Sequence, residues 1–172
     1  ESYIVFGSST GFSTQLDLST LDGTTGVILR GDLAGDQSGW SVSSAGDING
    51  DGLDDIVVGA LFADQNGTDS GTSYVVYGTD QGYGSVLNLG EMNGNDGFAI
   101  YGISTNDESG VSVSSAGDVN ADGIDDLIIG ANLADPNGIN NAGETYIVYG
   151  TTDGFSAGFE LSDINGRNGF RV

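Results

Sequence analysis

Asp47-Ile-Asn-Gly-Asp-Gly-Leu-Asp-Asp55, followed by the apolar run Ile56-Val-Val-Gly-Ala60, is the stretch on which the reading of this chain turns. It returns 71 residues later as Asp118-Val-Asn-Ala-Asp-Gly-Ile-Asp-Asp126, followed by Leu127-Ile-Ile-Gly-Ala131. Oxygen side chains occupy loop positions 1, 3, 5 and 9: Asp47, Asn49, Asp51 and Asp55 in the first copy. Gly52, at position 6, permits a sharp turn. Hard oxygen donors at this density suit Ca²⁺, which accepts six to eight oxygens in a forgiving geometry. The position-7 residue, Leu53 or Ile124, can add its backbone carbonyl. An EF-hand loop would need a bidentate Glu at position 12 and a following helix. Position 12 is Val58 or Ile129, and the residues around it are β-branched and apolar, so the loop feeds a strand. The ninth-position Asp then closes the cage. The plainer alternative is two acidic turns without metal; a whole donor set repeated in register weighs against it.

Working outward, the repeat covers most of the chain. Residues 38–64 align without gaps to residues 109–135, and 18 of these 27 positions are identical. Most of the differences exchange Val, Ile and Leu. Tyr3-Ile-Val-Phe-Gly7 matches Tyr74-Val-Val-Tyr-Gly78 and Tyr146-Ile-Val-Tyr-Gly150. No stretch has useful helical periodicity, so the fold class is all-β. The 31 glycines sit between strand-like runs, where turns need them.

Each period predicts four strands, near 39–46, 54–60, 73–78 and 98–102 in the first full copy. The first alternates small and apolar residues and suits an inner strand. The second is apolar on both faces and is expected between neighbouring sheets. The fourth has mixed polarity and suits an outer edge. Repeated four-stranded antiparallel sheets are the blades of a β-propeller; a β-sandwich made from a duplicated half is the alternative.

With this loop, preceded by Ser-Ala-Gly and followed by Tyr-(Ile/Val)-Val-Tyr-Gly, the chain resembles the FG-GAP repeat. That repeat is the blade unit of the integrin α-subunit propeller and of many bacterial surface and secreted proteins. Ala134-Asp-Pro-Asn-Gly138 and Asn165-Gly-Arg-Asn-Gly-Phe170 make the bacterial form the closer likeness. The resemblance implies one Ca²⁺ held by Asp47, Asn49, Asp51, the Leu53 carbonyl and Asp55. It implies a second held by Asp118, Asn120, Asp122, the Ile124 carbonyl and Asp126. The chain departs from the pattern at "FG", which reads Gly39-Trp40 and Gly110-Val111, and at the proline of "GAP", which is Leu61 or Asn132. None of these positions supplies a ligand. The resemblance also implies a ring of about seven blades. This chain reads as about two and a half: a partial blade of two outer strands over 1–37, then blades over 38–108 and 109–172. It is therefore expected to be a fragment of a larger propeller, completed by further blades of the same parent or of other chains.

Charge bounds the partners. Twenty-five acidic residues face Arg30, Arg167 and Arg171, giving a formal net charge of −22. That field disfavours nucleic acid and anionic membrane surfaces and favours divalent cations. The longest apolar run, 56–63, is far too short to span a bilayer. There is no cysteine, so no disulfide. Lacking His, Cys and Lys, the chain cannot form Ser-His or Cys-His nucleophilic sites or a Lys Schiff base. The conspicuous carboxylates repeat with the blades, whereas an active site is normally singular.

Asp54 and Asp125, at loop position 8, are expected to point away from the ion and brace the loop. Asp32, Asp36, Asp107 and Glu108 are expected to form a solvated acidic face. Tyr3, Tyr74 and Tyr146 are expected to pack blades, and the loops over 64–71 and 135–143 to be connections. The functional expectation is a calcium-binding, non-catalytic scaffold or adhesion module, extracellular or on a cell surface, with a protein or glycan ligand. The alternative is a lectin-like or substrate-docking module beside a secreted hydrolase, for which Tyr83 and Phe62 are the only aromatic candidates.

Overall fold

The computed structural model describes all 172 residues and is built from twelve strands joined by turns. Its helical pieces are three-residue 3-10 turns, and no helix is long and apolar enough to cross a membrane. The first sheet holds β1 (Ser2–Val5) and β2 (Gly26–Arg30). The middle sheet runs β3 (Ser41–Gly46), β4 (Asp55–Ala60), β5 (Thr72–Val76) and then β7 (Gly97–Tyr101), with β6 (Val86–Asn88) lying between β5 and β7 in sequence only. The last sheet runs β8 (Ser109–Gly117), β9 (Asp126–Ala131), β10 (Glu144–Val148) and β12 (Gly169–Arg171), with β11 (Gly158–Glu160) set apart in the same way. Neighbouring strands within each four-stranded blade are antiparallel. The fold is therefore all-β: two four-stranded propeller blades and a two-stranded partial one. Strand positions agree with the sequence reading to within two residues.

One element was not foreseen. Each full period carries a fifth, short strand that leaves its own blade: β6 pairs parallel with β2, and β11 pairs parallel with β7. The outer strand of one blade is thus covered by the next blade's segment, which blunts an open edge.

Apolar faces meet between blades. One cluster joins the middle blade's Val57, Val75, Phe98 and Ile100 to the last blade's Leu127, Ile129, Tyr146 and Val148. A second joins Val27 and Leu29 of the partial blade to Val58, Ala60, Tyr74 and Val76 of the middle one. β4 is buried at five of its six residues because it lies between two such faces, as its continuous apolar run requires. Phe155 reaches from the last blade to stack on Phe98, with centroids 4.0 Å apart and planes within 4°. Tyr74 and Tyr146 are buried in the blade interfaces. Tyr3 is 40 % exposed, because the partial blade has no inner strands to cover it.

Candidate metal centre

Each acidic loop joins the inner strand to the second strand of one blade: 47–54 between β3 and β4, and 118–125 between β8 and β9. The tight turn comes from positive φ at position 4 (Gly50, +71°; Ala121, +63°) and position 6 (Gly52, +89°; Gly123, +92°). Within it, side-chain oxygens converge on one backbone donor. Asp47 Oδ1 and Asn49 Oδ1 both accept from the Asp51 N–H, each at 2.9 Å. Asp118 Oδ1 and Asn120 Oδ1 do the same with Asp122, at 3.0 and 2.9 Å. The other Asp47 oxygen takes the Gly52 N–H at 2.9 Å, and Asp51 Oδ1 takes that of Leu53 at 2.9 Å. The second loop repeats both bonds through Asp118 and Asp122.

Position 9 is built differently. Asp55 is 1 % exposed, and its two oxygens accept from Ile48 and Gly78, at 3.0 and 2.8 Å. Asp126 is fully buried and accepts from Val119 and Gly150, at 2.8 and 2.9 Å. These carboxylates tie the loop to the end of the third strand. Burial pushes the Asp55 carboxyl up to about 6; the Gly78 and Ile48 donors pull it down, and the Asp51 and Asp47 charges raise it further. Burial likewise raises Asp126.

The donor set suits a hard cation: every side-chain group is an oxygen donor, and three of the four in each loop are carboxylates. The carbonyls of Leu53 and Ile124 accept no backbone hydrogen bond. No three acidic side chains gather closely enough to hold a metal by themselves. The geometry shows why: one donor of each convergent pair is an Asn, and the ninth-position Asp is turned onto backbone N–H groups. Each carboxylate oxygen keeps a second lone pair after accepting one bond. The residues therefore fit a calcium ion that draws on the Asn oxygen and a carbonyl as well as carboxylates.

The eighth position acts across the blade boundary. Asp125 Oδ2 accepts the Asp47 N–H at 3.0 Å, so it braces the other blade's loop rather than its own. Gly46 lets it in: a Cβ there would lie 2.2 Å from Asp125 Oδ2. The first loop also rests on the last blade through the Thr151 N–H, which donates to the Ile48 carbonyl at 2.9 Å. Asp54, the equivalent of Asp125, is exposed and has no partner. The Ser-Ala-Gly before each loop was visible in the sequence, but nothing there showed that its glycine receives a carboxylate from another blade.

The acidic residues before the inner strands need correction. Asp36 and Asp107 are 7 % and 6 % exposed, not solvated. They close turns by accepting from Leu33 and Ser104, at 3.3 and 3.1 Å, and burial raises both carboxyls. Asp32 stays exposed and Glu108 is half-buried. The 64–71 loop is held by Asn66, which donates to the Gly102 carbonyl and to Glu160, at 2.8 and 2.7 Å. Tyr83 and Phe62 are both half-buried; Tyr83 stacks on Phe6 and donates its hydroxyl to the Tyr77 carbonyl.

Comparison with known proteins agrees with this geometry. The FG-GAP repeat profile matches residues 38–76 and 109–148, which span the inner three strands and the loop of each full blade. The chain is similar to integrin alpha pat-2 of Caenorhabditis elegans, with 36% identity over 124 residues, 70% of this chain and 10% of that protein. It is similar to integrin alpha-PS5 of Drosophila melanogaster, with 35% identity over 108 residues, 62% of this chain and 10% of that protein. It is also similar to phosphatidylinositol-glycan-specific phospholipase D of Mus musculus, with 32% identity over 117 residues, 67% of this chain and 13% of that protein. The chain spans about a tenth of the length of these relatives. The chain thus carries an FG-GAP repeat in each of its two full blades and is similar to the integrin α-subunits over the matched stretch.

Proposed function

We propose that this chain is a calcium-stabilised, non-catalytic propeller segment, serving as a scaffold or adhesion module of an extracellular or cell-surface protein. The observation that carries this reading is the duplicated convergence of Asp47 with Asn49 and of Asp118 with Asn120 on one backbone N–H per loop. Asp47, Asn49, Asp51, the Leu53 carbonyl and Asp55 would hold one ion. Asp118, Asn120, Asp122, the Ile124 carbonyl and Asp126 would hold the other. Bound calcium supplies positive charge that offsets three carboxylates in each turn. The chain's own residues do the rest: glycines shape the turn, Asp55 and Asp126 anchor it to the third strand, and Asp125 locks the first loop to the last blade. All side-chain donors lie within nine residues, so the site can be complete without a partner's carboxylate.

The binding partners proposed are further propeller blades, from the same parent or from other chains, and a protein or glycan ligand of the assembled surface. A bacterial surface or secreted parent is our reading of the stretches at 134–138 and 165–170. The phospholipase D relative supports a second reading, in which such repeats dock an enzyme elsewhere in the parent to its substrate. Thermal melts in Ca²⁺ and in chelator test the first reading. A clear rise in melting temperature with Ca²⁺ is expected, with affinity near 10⁻⁴ to 10⁻³ M on the order of extracellular modules. Equal melting temperatures would remove the metal from the proposal.

A further inference from the structure

At the end of β4 remote from the first acidic loop lies a cavity of about 210 Å³. One wall is a face of the middle blade. Thr72 and Tyr74 of β5 pair with Tyr101 and Ala99 of β7, and strand alternation turns all four the same way. Asp32 and Asp36, from the link into β3, and Asp64, just after β4, complete the lining. Gly90 makes room for Asp32, since a Cβ there would run into Asp32 Oδ1. Three carboxylates and two phenols are thus gathered without a cation. None of the chain's three Arg lines the cavity, and neither of its ion pairs involves these acids.

Tyr74 is 4 % exposed, yet its hydroxyl has no hydrogen-bond partner, whereas that of its equivalent, Tyr146, donates to Glu144 at 2.6 Å. Burial, and then the Asp32 and Asp36 charges, hold the Tyr74 phenol above its ordinary value. The buried Asp36 accepts one long bond, from the Leu33 N–H at 3.3 Å. The last blade shows what such a space can hold. There Asp107, Asp135, Glu144, Tyr146 and Arg171 line the equivalent pocket, and Arg171 Nε lies 3.5 Å from Glu144 Oε1. Strand register makes Thr72 the counterpart of Glu144 and Ala99 the counterpart of Arg171. Asp32 stands where the last blade has Ile103. The middle blade therefore keeps three carboxylates and puts a methyl group in place of the guanidinium.

We propose that this cavity binds a guanidinium group from outside the chain, seated where Arg171 lies in the next blade. The Asp32, Asp36 and Asp64 carboxylates accept its N–H groups, the free Tyr74 hydroxyl accepts another, and the Tyr101 ring offers its face to the planar cation. The space is smaller than the ~300–1,000 Å³ of pockets for drug-sized ligands, so it suits a guanidinium on a short alkyl stem. The site shares no residue with the acidic loops and does not depend on the metal reading.

The probe is butylguanidinium, titrated calorimetrically into the 172-residue chain in Ca²⁺ and ~0.15 M salt, where the diffuse field of the −22 charge is screened. One saturable site per chain is expected, with the uncharged analogue butylurea inert. Asp32→Asn, at an exposed position, should weaken binding about tenfold, and Tyr74→Phe about threefold. Ala99→Arg supplies the group from within and should abolish binding. Ala99 is buried, so if that variant fails to fold the two milder ones still decide. A capped Gly-Arg-Gly peptide separates two sources of the same chemistry. Binding as tight as that of butylguanidinium assigns the site to a partner's arginine, exclusion of the peptide assigns it to a free small molecule, and both outcomes support the site. A titration that does not saturate, equal heats from butylguanidinium and butylurea, or an affinity unchanged in both Asp32→Asn and Tyr74→Phe overturns it.

Discussion

The Asp125 carboxylate accepts the Asp47 N–H at 3.0 Å, while the Asp125 N–H donates back to the Asp47 carbonyl at 3.3 Å. Two blades are thereby joined at the first residue of a proposed metal loop. Asp125→Ala should lower stability by about 1.5–3 kcal/mol, the range for a hydrogen bond to a charged group. Asp54→Ala, at the unpartnered equivalent, should stay within about 0.5 kcal/mol of the parent chain. Gly46→Ala should cost about 2–4 kcal/mol, because its φ is +68° and the new Cβ would meet the Asp125 carboxylate. Urea unfolding of the three variants checks the ordering.

Asp51→Ala tests what the first loop does. In Ca²⁺ it should destabilise the chain by about 2–4 kcal/mol, as when one member of a compensated charged cluster is removed. Asp122→Ala should match it in the second loop. In chelator both losses should shrink, since removing a carboxylate then also relieves repulsion. If Asp51→Ala abolished binding to a partner while leaving the calcium-dependent melting temperature unchanged, the loop would be a recognition site rather than a scaffold.

The metal-free chain should gain stability on acidification. Burial raises the carboxyls of Asp36, Asp107 and Asp126, and that of Asp55 to about 6. Each folded value lies above the unfolded one, near 3.9, so the folded state binds more protons between them. Stability therefore falls as pH rises through this window; the cost is complete above about pH 6 and absent below the unfolded value. In chelator, the urea midpoint at pH 5 should exceed that at pH 7.5. Calcium should reverse the trend at Asp55 and Asp126, because a coordinating carboxylate has to be ionised. A metal-free midpoint that rose steadily with pH would contradict the burial argument.

Loop position 4 offers a comparison within one chain. It is Gly50 in one loop and Ala121 in the other, both at positive φ. Ala121→Gly should stabilise by about 0.5–1 kcal/mol by removing left-handed strain. Gly50→Ala should cost more than that gain, because its Cβ would also lie 2.7 Å from Thr152 Cγ2. Paired melts read both.

The blade pattern was legible because β-branched runs such as Ile56-Val-Val, buried on both faces, have few other uses, and because the acidic loop repeats in register. The direction of Asp125 was half legible: alternation places it away from its own loop, but only packing shows that it lands on Asp47. The burial of Asp36 and Asp107 was not legible, since an Asp that closes a turn reads locally like one that is solvated. Nor were β6 and β11. Three residues are too few to show a period, and their parallel partners lie more than 50 residues away in the chain.

Those two short strands have a consequence for how the chain comes apart. β11 lies between β10 and β12 in sequence, yet it forms the outermost rung of the middle sheet. The last blade cannot melt alone without stripping that rung, and the middle blade cannot melt without releasing β6 from β2. Overlapping blades in this way turns nearest-neighbour contact into shared unfolding. A single sharp transition is expected for the chain, and amide exchange in β7 and β12 should then report the same opening event.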